Sequence, residues 1–403
     1  MARRTRPGGE HRLSVQLPLP ALSPQETAHS EQLVQRIREV IEAAGGWISF
    51  ERFMEMALYE PGLGYYSAGA TKLGEAGDFV TAPEISPLFS RCLANQCSEV
   101  LDATGGHILE LGAGSGVMAS DVLAELERQQ KLPQRYFILE VSADLRERQR
   151  TLLQQRLPHL MDRIEWLDSL PEGFRGVLLA NEVLDALPVQ RFRIRGMTVN
   201  QIGVTWALGR LDWSEVHAHA TLESAVREIE YNLGEPFTDG YTSEINLRLR
   251  PWIAGIAAAI QEGVALFIDY GLPRGQYYAA SRREGTMLCH FRHRFHDDPL
   301  INVGVQDIGA WVDFTAVADA AVAAGMRVAG YTTQAHFLIG NGIEQFLAPK
   351  DDEELAARLQ MARQAMLLTL PGEMGERFKV IGLAKGVERP LRGFSVRDLA
   401  ASL

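Results

Sequence analysis

His107-Ile108-Leu109-Glu110-Leu111-Gly112-Ala113-Gly114-Ser115-Gly116 is the stretch on which the reading of the fold turns. An apolar run of strand length passes directly into three glycines at alternate positions, and Val117 to Gln130 then continue at helical spacing. Strand, glycine turn and helix in that order present backbone amides and a helix N-terminus to a nucleotide-type ligand. A dinucleotide fits this loop poorly. The third glycine of a G-x-G-x-x-G pattern would fall on Val117, and Glu110, just before the first glycine, would repel a pyrophosphate. A phosphate-binding P-loop is excluded because no Gly-Lys-Ser/Thr follows.

The sign of charge points instead to S-adenosylmethionine, which has no phosphate and carries an ammonium and a sulfonium. A carboxylate about 4 Å from such a cation, at an effective dielectric of about 20, attracts it by about 4 kcal/mol before desolvation. Glu110, Gly112, Gly114 and Gly116 are therefore candidate cofactor residues. Outward from the loop, Glu140 closes a second predicted strand in Phe137-Ile138-Leu139-Glu140, where a carboxylate can accept both ribose hydroxyls. Asp168 closes a third in Ile164-Glu165-Trp166-Leu167-Asp168, within reach of an adenine amino group. A solvated strand end for Glu140 and a turn residue for Asp168 are the plainer alternatives.

Short apolar runs alternating with amphipathic helices continue on both sides, the signature of a parallel α/β sheet. The expected strands are His107 to Leu111, Tyr136 to Val141, Ile164 to Leu167, Gly176 to Ala180, Val264 to Tyr270, Arg327 to Tyr331 and Phe378 to Ala384. Helices are expected at Val117 to Gln130, Ala143 to Arg156 and Val312 to Ala324, and before the sheet at Glu31 to Ala44 and Phe50 to Leu58. The fold class is a doubly wound α/β Rossmann-like sheet with an N-terminal helical cap and large insertions. Its expected divisions are a disordered leader (1–30), a helical cap with a Gly/Pro-rich loop (31–100) and a core from 101–190, 264–271 and 307–390. A substrate insertion (191–263), a lid (272–306) and a helical insertion (341–375) complete them.

Composition sets the outer limits. An apolar fraction of 46% over 403 residues describes a globular protein, and no apolar run is long enough to span a bilayer. The net charge of -11 argues against a nucleic-acid partner, which would demand a basic face. It suits a basic substrate, or serves solubility alone. Cys92, Cys97 and Cys289 form neither a metal pair nor an even disulfide set, which points to a reducing compartment. With no secretory or clean transit signal near Arg3, Arg4, Arg6 and Arg12, a cytoplasmic protein is expected, or one of the mitochondrial matrix if eukaryotic. His290, His293 and His296 recur every third residue, but Arg292 and Arg294 between them would repel a dication. That run reads as a mobile, positively charged lid over the cofactor's carboxylate, or as an exposed loop.

Several longer stretches resemble the MidA-like methyltransferases. They are Phe53-Met54-Glu55-Met56-Ala57-Leu58-Tyr59, Gly64-Tyr65-Tyr66, and Gly77-Asp78-Phe79-Val80-Thr81-Ala82-Pro83-Glu84-Ile85-Ser86-Pro87. Asn181-Glu182-Val183-Leu184-Asp185-Ala186-Leu187-Pro188, Asp269-Tyr270-Gly271, His293-Arg294 and Asp297-Asp298-Pro299 continue the match. One stretch departs from it: Asp307-Ile308-Gly309-Ala310-Trp311-Val312-Asp313-Phe314 stands where the family pattern would have Asp-Ile-Thr-Ala-His-Val-Asp-Phe. The resemblance implies a class I methyltransferase with strand order 3-2-1-4-5-7-6. For eukaryotic members it implies symmetric dimethylation of an arginine on a respiratory complex I (NADH dehydrogenase) subunit.

A guanidinium acceptor is always protonated, so its site must orient it with carboxylates. Glu182 and Asp185, past the fourth strand, and Glu244 in the insertion are the candidate catalytic acids. Their alternatives are cofactor binding for Glu182, a helix cap for Asp185 and a pair with an arginine such as Arg248 for Glu244. Asn181 is placed at the cofactor, and Asp78 and Glu84 at the cofactor or acceptor rim, with a turn residue for Asp78 and a helix N-terminal acid for Glu84 as the plainer alternatives. The reading is thus an arginine N-methyltransferase acting on a protein, with a small-molecule methyltransferase and a non-catalytic assembly chaperone as the other possibilities.

Overall fold

The computed structural model describes residues 19–68, 81–348 and 355–403. Seven strands build the central sheet: β1 (His107–Leu111), β2 (Tyr136–Leu139), β3 (Ile164–Leu167), β4 (Phe174–Asn181), β5 (Ile260–Leu272), β6 (Arg327–Thr333) and β7 (Phe378–Lys385). Their spatial order is β3-β2-β1-β4-β5-β7-β6, as the resemblance implied. Strands β1 to β5 pair in parallel, and β7 alone runs antiparallel to both of its neighbours. Val312–Asp313 adds a short parallel pairing to the end of β5, where a helix was expected to begin; the helix starts two residues later, at Phe314, capped by the Asp313 carboxylate.

Period-two side-chain direction divides the buried interior into two layers. Ile108, Val177, Leu179, Val264 and Leu266 face the helices Pro87–Thr104 and Val117–Arg128. Leu109, Leu178, Ala180, Ala265 and Phe267 face Leu249–Ala259 and Phe314–Ala323. Apolar on both faces, the strands are covered on both, so ligand access is confined to the sheet's edges and ends. Glu110, Glu140, Asp168, Glu182 and Asp185 lie at or just past the carboxyl ends of these strands, where such sheets open a crevice.

The segments outside the core join in a way that the sequence does not announce. Trp47–Ser49, from the N-terminal cap, pairs antiparallel with Thr198–Ala207, from the long insertion. Gln190–Arg195 shares that edge, Arg210–His217 takes the opposite one, and Thr242–Ile245 extends the sheet beyond Gln190–Arg195. Leu33, Ile37, Phe50 and Phe53 pack with Val204 and Leu211, while Phe192, Ile194 and Val199 pack with Leu222 and Val226. Cap and insertion are therefore one subdomain with a sheet at its centre.

Two boundaries change. The first helix spans Pro24–Ala43, so residues 24–30, expected in a disordered leader, are helical. The cause is a capping box in which the Ser23 hydroxyl accepts from the Glu26 amide and the Glu26 carboxylate accepts from the Ser23 amide. The lid segment is also not the expected cover. Leu288–Phe291 and Arg294–His296 form a hairpin that pairs with Asp307–Gly309, so Asp307–Gly309 leaves the core for this small sheet. At its tip Arg292 pairs with Glu26 of the first helix at 2.7 Å, and no residue of 272–306 lines the cofactor-side cavity. His290 and His296 do not face one another across the hairpin, His293 lies in its turn, and among the described residues no group of three metal-ligating side chains is assembled.

Candidate active site

A cavity of about 730 Å³ opens at the carboxyl ends of β1, β2 and β4. Glu110 to Ser115, Leu139 to Ala143 and Asn181 to Val183 line it from the core, and Tyr59, Tyr66, Thr81, Pro83 and Glu84 line it from the cap side. The loop after β1 can take its shape because Gly112, Gly114 and Gly116 hold φ of 62°, 55° and 85°, a region costly for residues with a Cβ. At Gly116 there is also no room: a Cβ would lie 3.3 Å from Gln149.

Gln149, on helix Ala143–Arg156, is fully buried and ties the site together. Its amide nitrogen donates to the Gly114 carbonyl at 2.9 Å and to the Glu140 carboxylate at 3.1 Å, and its amide oxygen accepts from the Trp166 indole at 2.9 Å. Glu140 accepts further from the Ser142 amide at 3.0 Å, and burial raises its pKa despite these bonds. Glu110 is 1% exposed and accepts from the Tyr136 hydroxyl at 2.6 Å. Burial pushes its carboxyl up to about 7, with the Tyr136 bond opposing and the Glu140 charge adding to the rise. Two buried acids on adjacent strands, neither paired with a cation among the described residues, form a site suited to a positively charged ligand.

Glu182 sits in the left-handed region at φ 52° immediately after β4, held there by its amide's bond to the Ile268 carbonyl at 2.9 Å. Its carboxylate accepts from the Asn181 amide at 3.1 Å and from the Ala82 backbone, while burial and the Asp185 charge push it up to about 8. Asp185 is brought close to Glu182 but stands behind the cavity wall, 5% exposed, accepting from the Tyr270 hydroxyl. Burial and the Asp307 charge push Asp185 up to about 7. Asp269, at the end of β5, accepts from the Leu184 and Asp185 amides at 2.9 and 3.3 Å and so fixes the turn that carries both acids. Glu84 joins the cavity from the four-residue helix Ala82–Ile85 and accepts from the Ser115 hydroxyl of the glycine loop.

Asp168 and Glu244, like Asp185, do not line this cavity. Asp168 is 90% exposed and pairs with Arg146 at 2.7 Å, and the cavity wall beyond Leu139 is apolar, made by Leu170, Leu187, Trp252 and Ile256. Glu244 is fully buried in the cap sheet; it pairs with Arg191 at 3.3 Å and accepts from the Thr286 amide at 2.7 Å. It borders a separate cavity of about 560 Å³, and Arg248, its expected partner, pairs with Glu51 and Glu55 instead. Asp78 lies outside the described residues. Conversely, Gln149, Tyr136, Tyr59, Tyr66 and Trp252 had no assigned role from sequence. The helical register of Gln149, seven residues past the Ser142 cap, and the aromatic run Tyr65-Tyr66 were the signals available for two of them.

The residues fit the cofactor. Positive-φ glycines leave the loop open, Glu110 and Glu140 are buried acids along the cavity, and the buried Oδ1 of Asn181 accepts no hydrogen bond from the described residues. Fold and site together define an S-adenosylmethionine-dependent methyltransferase of class I architecture. The chain matches the family model for S-adenosyl-L-methionine-dependent methyltransferases over residues 92–332, and it belongs to that family, in its MidA-like branch. A crystal structure of a Burkholderia thailandensis protein bound to S-adenosyl-homocysteine is 39% identical, with a TM-score of 0.91 covering 96% of this chain and 100% of that one. The Drosophila melanogaster protein named "Protein arginine methyltransferase NDUFAF7 homolog, mitochondrial" is 28% identical over 93% of this chain and 91% of its own length. Its human counterpart is 27% identical over 84% and 80%.

Proposed function

We propose that the chain transfers a methyl group to an arginine nitrogen of a protein, with Glu182 orienting the acceptor. The observation that carries this reading is Glu182 itself. It is the acid that lines the cavity directly after β4, on a strained backbone that only the bonds around it maintain. The curated relatives named as arginine methyltransferases support the acceptor class, and a respiratory complex I subunit is our candidate for the protein that bears it. Their names include mitochondria and give no support to a cytoplasmic location; we place a eukaryotic bearer of this chain in the mitochondrial matrix. Among the described residues no helix is long and apolar enough to cross a membrane.

When bound, the cofactor supplies an electrophilic methyl on sulfonium. Glu110, Gly112, Gly114, Gly116, Glu140, Asn181 and Glu84 are the residues we assign to holding it. The acceptor's positive charge favours the ionised form of Glu182, which then holds the guanidinium by charge-assisted hydrogen bonds and turns one nitrogen toward the methyl. The same carboxylate, with its pKa raised to about 8, is matched to receive the proton that the nitrogen loses on becoming methylated. Asp185, fixed by Tyr270, adds negative charge behind it without touching the acceptor.

The test is transfer of an isotope-labelled methyl group from S-adenosylmethionine into a matched cell extract. Label should appear in polypeptide, and both Gly114→Val and Glu182→Gln should abolish it. Gly114→Val should also lose cofactor binding by calorimetry, because Gly114 holds φ 55° beside the cavity. Label that enters metabolites alone would overturn the protein-acceptor reading, and normal cofactor affinity in Gly114→Val would overturn the placement of the cofactor.

A further inference from the structure

The cavity wall near Glu182 carries two aromatic rings whose positions are set from different parts of the molecule. Tyr59, the last residue of helix Phe50–Tyr59, stacks on Tyr66 with ring centroids 5.5 Å apart and planes 24° apart. Tyr65 meets Tyr66 edge-on at 5.1 Å and is itself buried, backing the pair from the cap. The Tyr59 hydroxyl donates to the Ala186 carbonyl at 2.9 Å, four residues beyond Glu182, and the Tyr66 hydroxyl donates to the Asp307 carboxylate at 3.0 Å. Core turn, cap loop and hairpin sheet therefore converge on these two rings.

Both hydroxyls donate their protons within the protein, yet both residues line the cavity. What they offer a ligand is chiefly aromatic surface. Glu182 lines the same cavity. A carboxylate beside an aromatic wall suits a flat, delocalised cation. Its N–H edges meet the oxygens, and its weakly hydrated face lies on a ring. A lysine ammonium could meet the same acids, but it is compact and strongly hydrated and gains less from a flat wall.

We infer that the stacked pair Tyr59 and Tyr66 is the specificity wall of the acceptor site and selects guanidinium over ammonium. This rests on the arginine reading above and adds to it the residues that make the choice. Tyr66 reads the planar face, Asp307 holds Tyr66 in place, and Glu182 reads the nitrogen edge.

The test needs no knowledge of the acceptor protein. The full chain, saturated with S-adenosyl-homocysteine, is titrated with butylguanidinium and with butylammonium, and binding is followed by ligand-observed NMR. Wild type should prefer butylguanidinium by about five- to tenfold, the size expected of one cation–π contact in a partly desolvated site. Tyr66→Leu should shrink that preference to less than about twofold, whereas Tyr66→Phe, which keeps the ring and loses the bond to Asp307, should retain most of it. Retention of S-adenosyl-homocysteine affinity reports that a variant is folded, and Tyr59→Leu stands in if Tyr66→Leu is not. Guanidinium binding with the full preference in a folded leucine variant, or no preference in wild type, would overturn the aromatic wall while leaving the arginine reading standing. Binding of neither probe to wild type would overturn both.

Discussion

Glu110 shows how one side chain can decide a cofactor and cost stability at once. Its carboxyl is buried at 1% exposure and relieved chiefly by the Tyr136 hydroxyl. Replacing it with an uncharged isostere removes the desolvation cost and also removes the attraction for a sulfonium or ammonium. Glu110→Gln is therefore expected to raise the melting temperature of the cofactor-free protein at pH 8 while weakening S-adenosylmethionine binding by about tenfold or more. Thermal unfolding and calorimetry on the same sample check both halves; unchanged affinity would remove Glu110 from the cation site. Sequence alone carried this residue, because its position just before the glycines is local. Asp168 misled for the complementary reason: a strand-end acid is legible, but its capture by Arg146 depends on a helix turn twenty-two residues earlier.

At the scale of elements, the glycine loop is not held by its own sequence alone. Helix Ala143–Arg156 sends Gln149 to the Gly114 carbonyl and Glu140, while Ala82–Ile85 sends Glu84 to Ser115. Gln149→Leu keeps the volume but leaves a carbonyl, a carboxylate oxygen and an indole N–H without that partner, at about 1–3 kcal/mol for each buried group left unsatisfied. Since Gln149 does not line the cavity, its loss should weaken cofactor affinity about tenfold through misplacement of Glu140 and the loop, together with a substantial loss of stability. A variant that binds cofactor as wild type does would show that the loop is rigid without it. The central strands were legible because each is a short apolar run between turn signals, and β1 and β3 fall where the pattern placed them. The cap sheet was less legible. Trp47–Ser49 is three residues long and pairs with a strand about 155 residues away, and no periodicity within either segment encodes that partnership.

The whole molecule concentrates negative charge on one face of one sheet end, and this makes its stability depend on pH in a direction opposite to that of a surface salt bridge. Glu110, Asp185 and Glu182 have folded-state values pushed to about 7, 7 and 8 from ordinary values of 4.5, 3.8 and 4.5. Between the ordinary and the raised values the folded chain holds protons that the unfolded chain has released. Unfolding then releases protons, so this contribution is fully present below about pH 4 and is lost as pH rises through about 8. Glu215, lowered to about 2 by Arg195, works the other way but only at the acid end, losing its contribution as pH falls from about 4.5 toward 2. The cofactor-free protein should accordingly melt at a lower temperature at pH 8.5 than at pH 6. S-adenosylmethionine should recover more of that difference at pH 8.5, because its cations meet ionised acids there. Calorimetric scans with and without ligand at the two pH values measure this, and a melting temperature that rises with pH in the ligand-free protein would contradict the buried-acid account.

The acid-lined, glycine-floored cavity is proposed to methylate arginine in a protein. The most direct test is mass spectrometry of the polypeptide labelled in extract by the wild-type chain and S-adenosylmethionine. The prediction is methylation localised to an arginine side chain, absent with Glu182→Gln; methyl groups found on lysine, on histidine or only on small molecules would contradict it.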